Sequence, residues 1–240
     1  MRVTQTHSVY QLAFLPRLFP VNVYLVEEND GLTLIDAGMP FSLKGILEFA
    51  RQSGKPIQRL VLTHAHGDHV GALDGLKAAL PDANVYISRR DACLLAGDGS
   101  LLPGEPQTPV KGSLPRGIIT QPDTLLEDGD RIGSLQAVAT PGHTPGHMAY
   151  LDTRSGVLIA GDAFQLRGGA AVSGILRPLF PFPAMATWNA PIALTSAKRL
   201  AALHPSVLAV GHGSLLPEPG AVMNKAIAQA ERKLKAGAGS

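Results

Sequence analysis

Thr63-His64-Ala65-His66-Gly67-Asp68-His69 puts three imidazoles and a carboxylate into one short stretch, directly after the apolar run Leu60-Val61-Leu62. That run reads as a short buried strand, so the cluster falls where a strand ends and a loop opens. In an extended segment the side chains of His64 and His66, two residues apart, point to the same side and can grip one metal ion together. Gly67 then lets the chain turn and aim Asp68 and His69 at a second point. Imidazole nitrogen and carboxylate oxygen suit zinc and its first-row neighbours. The plainer alternative is a polar loop that happens to be rich in histidine.

Other strand ends repeat the device. The apolar stretch 135–139 runs into Thr140-Pro141-Gly142-His143-Thr144-Pro145-Gly146-His147, 157–160 ends in Gly161-Asp162-Ala163, and 207–210 ends in Gly211-His212-Gly213. Four strands thus each deliver His or Asp through a glycine-bearing turn. Rigid strand ends are what a metal cage needs, because ligating groups must be held to a fraction of an ångström. Leu34-Ile35-Asp36-Ala37-Gly38 and 158–163 also resemble each other, which hints at two βα-type halves facing one another.

Upstream, 10–14, 21–26 and 32–36 read as strands, the last two joined as a hairpin by Glu28-Asn29-Asp30-Gly31. Asp36 at the end of that hairpin reads either as a group that steadies a ligand or as a cap for the next helix. Residues 42–53 have helical spacing closed by Gly54, and 70–80 and 89–96 read as further helices around a strand at 85–87. The stretch 97–116, rich in Gly and Pro, is a loop, either a surface excursion or part of a pocket rim. Strand signals resume at 118–120 and 124–126, helices at 188–203 and 221–235, and the final Ala-Gly-Ala-Gly-Ser reads as disordered. The segment 175–185, Ile-Leu-Arg-Pro-Leu-Phe-Pro-Phe-Pro-Ala-Met, is apolar and stiffened by prolines that exclude regular helix and central strand. Residues 165–187 are therefore expected to act as a greasy cover for the metal pocket, a core segment or a subunit contact.

The chain of 240 residues is 45% hydrophobic and 17% charged, the profile of one globular domain over 1–240. Its 21 basic residues are scattered against 19 acidic ones, net +2, which does not suggest a nucleic-acid partner. No run reaches the roughly 18 apolar residues of a membrane span, and the start lacks the apolar core of a signal peptide. The single cysteine, Cys93, forms no internal disulfide and has no ligand-spaced partner, so it reads as a core residue in a protein of the reducing cytoplasm. His7 and His204 read as surface or packing residues.

Taken together, the hairpin ending in Asp36-Ala37-Gly38, the HxHxDH box at 64–69, Gly142-His143, Gly161-Asp162 and Gly211-His212 resemble the metallo-β-lactamase-fold hydrolase superfamily, in its glyoxalase II and lactonase-like branch. The resemblance implies an α+β, four-layer αβ/βα sandwich with the site at one rim of two packed, mixed sheets. Position by position, it implies that His64, His66 and His143 hold one metal and that Asp68, His69 and His212 hold a second. Asp162 would bridge them, Asp36 would support without ligating, and His147 would stand behind the ligands. The cofactor expected is two divalent ions, Zn2+ first, with Fe or Mn as alternatives.

Seven such ligands suit a pair of ions sharing a hydroxide nucleophile, with Asp68 as the catalytic group that orients it or takes its proton. The expected activity is hydrolysis of a small-molecule ester, thioester or lactone, with an apolar acyl part and no membrane partner; a homodimer is left open. Among family activities, β-lactam hydrolysis is the minority reading, because Asp162 is present and Cys93 is misplaced. Glyoxalase II shares the ligand set but carries a long helical carboxy-terminal region, whereas only 28 residues follow His212 here. Lactonases share the Thr-Pro-Gly-His repeat but have Tyr where this chain has Gln165. The alternative reaction class is a mononuclear iron persulfide dioxygenase relying on His64, His143 and Asp162.

Overall fold

A computed structural model describes residues 1–238. Seven strands lie side by side in chain order: β1 (Arg2–Thr6), β2 (Val9–Phe14), β3 (Val21–Glu28), β4 (Gly31–Ile35), β5 (Ile57–Val61), β6 (Asn84–Ser88) and β7 (Thr124–Leu126). β1 to β4 are antiparallel, with Glu28 paired to Gly31 across the expected hairpin turn. From β4 to β7 the pairing is parallel. Parallel neighbours need a crossover rather than a tight turn. Helices supply those crossovers: α1 (Leu43–Ser53), then α2 (Gly67–Val70) with α3 (Leu73–Ala79), then α4 (Arg89–Leu95).

The second sheet contains β8 (Arg131–Ile132), β9 (Leu135–Ala139), β10 (Met148–Asp152) and β11 (Val157–Ile159). β12 (Phe164–Gln165) and β13 (Ala171–Val172) form a separate ribbon, and β14 (Val207–Ala209) and β15 (Leu216–Pro217) complete the sheet in the order β15-β14-β11-β10-β9-β8. The remaining helices are α5 (Phe182–Met185), α6 (Ala190–Ala201) and α7 (Gly220–Ala238).

Period-two alternation sorts the core into three layers of contact. In β3, Tyr24 and Val26 join Ile35 and Val61 against Tyr150, Ile159 and Ala209 of the second sheet. Val23 and Leu25 point the other way, with Leu34 and Leu60, onto Ile46, Leu73 and Leu94 of the helices. The outer face of the second sheet, Leu158 and Leu208 among others, packs on Ala197 and Leu200 of α6 and on Met223, Ile227 and Ala230 of α7. Helix, sheet, sheet, helix is the four-layer α+β sandwich expected. Each fully buried aliphatic side chain in these layers contributes roughly 1.5–3 kcal/mol.

Some of the polar bonds between the two halves sit next to the strand ends that matter. Tyr150 donates from Oη to Leu62 O at 2.7 Å, immediately before the histidine box. Tyr24 Oη and Asn22 Nδ2 both donate to Val210 O, at 2.7 and 2.8 Å, two residues before His212. Those groups are buried, so breaking either pairing would leave a desolvated carbonyl or hydroxyl at a cost of about 1–3 kcal/mol.

Several local expectations are corrected. The helix expected over 70–80 is two pieces, because Gly71 and Ala72 leave helical pairing between α2 and α3. Residues 118–120 are not a strand: the N–H groups of Ile119 and Thr120 donate to the Asp74 carboxylate instead of to a neighbouring strand. The proline-rich segment does contain helix, the single turn α5, since proline is tolerated in a first turn where no N–H donor is needed. The carboxy-terminal helix continues through Ala236–Ala238 rather than ending in disorder, and the last two residues of that expected tail lie outside the described residues. Among the described residues no helix is long and apolar enough to cross a membrane.

Candidate metal centre

All the strand-end groups singled out in the sequence meet at one rim of the sandwich. The loop after β5 brings His64 and His66, the loop after β9 brings His143, and their ligand atoms lie within 4.8 Å of one another. Asp68 and His69, lifted by the helical turn α2, meet His212 from the end of β14 in a second group of the same compactness. Asp162, after β11, stands between the two. Its Oδ2 lies 3.2 Å from His212 Nε2 and 3.5 Å from His143 Nε2, while Oδ1 lies 3.5 Å from His69 Nε2. One carboxylate therefore faces both clusters. Gly211 makes that approach feasible, since a Cβ there would sit 2.1 Å from Asp162 Oδ1.

Hydrogen bonds behind the rings settle which nitrogen each histidine turns toward the centre. Asp36 accepts from Thr63 N and from His69 Nδ1, both at 2.8 Å, and His69 Nε2 faces the centre without a hydrogen-bond partner. Thr63 Oγ1 also donates to Asp36, so it can only accept from His64 Nδ1, 3.0 Å away, and His64 Nε2 is left bare in turn. His66 donates from Nε2 to Lys111 O and turns Nδ1 toward His143 Nε2, 3.0 Å away. His212 donates from Nδ1 to Pro20 O. Asp36 is thus a support for two histidines; the 3-10 turn at Pro40–Ser42 and α1 carry no side-chain cap at all, which removes the capping alternative.

His147 stands behind the cluster, as expected: its Nε2 accepts from the backbone N–H of Asp162 at 3.0 Å, and it belongs to neither group. His7 and His204 are exposed. Cys93 lies partly buried on α4, away from both groups. The loop 97–116 forms pocket rim, with Gly112 and Ser113 lining the cavity above the site.

Electrostatics divide the histidines into two sets. Burial pushes His64 and His143 well below the usual imidazole range, lowers His66, and takes His147 to about 3, so these rings are neutral. Burial would depress His69 as well, yet Asp36, Asp162 and Asp68 outweigh it and raise it to about 10. His212 is raised in the same way, burial being overcome by Asp162 and Asp68. Asp162 is held well below its ordinary value, because His212 and His69 overcome its own burial.

Fitness for metal rests on orphaned atoms. His64 Nε2, His69 Nε2 and Asp162 Oδ1 are buried without hydrogen-bond partners, and all three belong to one group of ligand atoms within 4.8 Å of each other. Buried polar atoms left unpaired cost free energy that a bound ion would recover. The donor set of nitrogen and carboxylate oxygen is that of first-row divalent ions.

Sequence reasoning did not find the groups that orient the rings: Thr63, the Lys111 and Pro20 carbonyls, and Ser173 and Thr187, whose hydroxyls lie 2.9 and 3.2 Å from His143 Nδ1. Only Thr63, inside the box, carried a local signal. The others arrive from distant segments with no motif of their own.

Residues 16–212 match the profile of the metallo-beta-lactamase superfamily, and the chain belongs to that superfamily. It is a metal-dependent hydrolase. Among its relatives, the uncharacterised protein YobT of Bacillus subtilis strain 168 is 59% identical over 232 residues, covering 97% of this chain and all of that protein. The probable metallo-hydrolase YflN of the same organism is 32% identical over 212 residues, 80% of each chain. The crystal structure of TTHA1623 in a di-iron-bound form is similar at a TM-score of 0.63 and 29% identity, covering 88% of this chain and 95% of that one.

Proposed function

We propose that the protein hydrolyses a small-molecule ester, thioester or lactone with an apolar acyl part, at a dinuclear centre held by His64, His66 and His143 on one side and Asp68, His69 and His212 on the other, with Asp162 shared. The observation that supports this most is the Asp162 carboxylate facing both clusters, with its oxygens 3.2 to 3.5 Å from His212, His143 and His69. Bound divalent metal would supply a Lewis acid for the substrate carbonyl and a water acidified toward neutral pH.

The chain's own groups do the rest. Asp68 is the more exposed of the two carboxylates that line the cavity, its side chain 20% exposed against 4% for Asp162, so it is placed to accept the proton of the attacking water. The cavity above it, about 560 Å3, is walled by Phe19, Met39, Phe182, Pro183, Met185 and Ala186. Among the described residues, no ionisable side chain other than Asp68, Asp162 and the histidines lines it, which favours an uncharged acyl group and disfavours a polyanion such as nucleic acid. The 175–185 segment serves as the greasy wall and as core at once: Phe182 and Met185 are exposed on the cavity side, whereas Ile175 and Phe180 are buried.

Metal-stripped protein should be reloaded with Zn2+, Fe2+ or Mn2+, its metal counted, and turnover measured on acyl thioesters, lactones and β-lactams of increasing acyl length. Two ions per chain and chelator-sensitive turnover that rises with acyl length support the reading. Failure on every carbonyl substrate, with persulfide-dependent oxygen uptake by a single iron, overturns it.

A further inference from the structure

The Thr-Pro-Gly-His repeat contains more than its first histidine needs, and a buried carboxylate on α4 accounts for the surplus. Asp91 is 0% exposed, and no candidate ligand group includes it. Its Oδ2 accepts from Ala65 N at 3.0 Å, the peptide between His64 and His66, and from Thr144 Oγ1 at 2.7 Å, the residue after His143. Its Oδ1 accepts from Gly146 N at 2.7 Å. Side-chain volume at position 146 is excluded by the same contact, because a Cβ there would lie 2.7 Å from that oxygen and 2.5 Å from Asp91 N. Ser88 Oγ in turn accepts from Asp91 N at 3.0 Å and holds the aspartate at the start of its helix.

We infer that Asp91 is the positioning residue of the His64/His66/His143 triad: it pins the two loops that supply those three imidazoles to a single point. This rests on the dinuclear reading above. It divides the support of the centre in two. Asp36 holds His69, from the second triad, and reaches His64 through Thr63, whereas of these two aspartates it is Asp91 that spans the gap between the loop after β5 and the loop after β9. Both oxygens of the carboxylate act as acceptors, since all three partners donate. An amide in its place would turn an NH2 toward at least one of them, and the loops would separate.

The test is stepwise metal affinity in full-length protein, by competition of Zn2+ with a chromophoric chelator. His143→Ala and His69→Ala identify which binding step belongs to which triad in the wild type. Asp91→Asn should weaken the step that His143→Ala removes by about 10- to 100-fold, the scale seen when partners of metal ligands are lost, and should leave the other step within twofold. Thr144→Val, which deletes only one of the three bonds, should weaken the same step less, and it decides the matter by the same criterion if Asp91→Asn does not fold. Equal weakening of both steps, or no change in either, overturns the assignment. A wild type that binds fewer than two ions would instead count against the dinuclear reading itself.

Discussion

Metal binding at this centre should expel protons from one triad and not from the other. His64 and His143 are already neutral because burial disfavours their charge, so an ion meets bare nitrogen there. His69, raised to about 10 by Asp36, Asp162 and Asp68, still holds its proton at pH 7 and must release it to ligate. That competition spans three pH units at about 1.4 kcal/mol each, roughly 4 kcal/mol at neutral pH. Apparent affinity of the Asp68/His69/His212 step should therefore rise at least about tenfold per pH unit from 7 toward 10, His212 adding to the proton release, while the other step stays nearly flat.

The same shift fixes the pH dependence of the metal-free fold. A folded-state value above the unfolded one, about 6.5, stabilises fully below pH 6.5, and that stability is lost as pH rises through 10. The full loss is about 5 kcal/mol. Calorimetric titration of metal-free protein with Zn2+ in buffers of different ionisation enthalpy counts the protons, and melting curves from pH 6.5 to 10 follow the fold. Zero proton release at pH 7, or a metal-free melting temperature that climbs across that range, would refute the reasoning.

Three further outcomes are expected. Asp36→Ala leaves Thr63 N and the His69 ring without their acceptor in a buried site, and chemical denaturation of the metal-free protein should show a loss of about 3–5 kcal/mol; less than 1 kcal/mol would contradict the role given to it. Phe182→Ala removes a cavity wall, so KM for long acyl substrates should rise about tenfold with kcat little changed, and short substrates should be indifferent. Trp188 is the sole tryptophan; its backbone N–H donates to His143 O and its Nε1 to Thr108 O. Chelation should consequently shift its emission, and identical spectra with and without metal would show that His143 does not report through that contact.

Much of the site was legible because each chemical group sits at the end of an apolar run, where periodicity and glycine mark the strand boundary on their own. For Asp68 and His69 the local signal is Gly67 directly after extended His64 and His66, where the structure has the turn α2. Where local pattern misled, a distant group had taken over the backbone's hydrogen bonds: Asp74 captures Ile119 and Thr120, so an apolar stretch with strand composition pairs with no strand. In α5 the prolines were read as breakers, although their position in a first turn makes them compatible with helix. Asp91 was invisible for a different reason. Three residues after Ser88 at a helix start it looks like an ordinary capping acid, and only its burial against two far-removed loops reveals its partners.

Neither sheet owns a complete triad: His64 and His66 leave the first and need His143 from the second, while Asp68 and His69 leave the first and need His212 from the second. Bound ions would accordingly act as rivets through the seam, so that mechanical cohesion between the halves and catalytic competence rise and fall together. Packing changes along that seam, at Tyr150 or Tyr24 for instance, should be felt at the cations long before either half unravels.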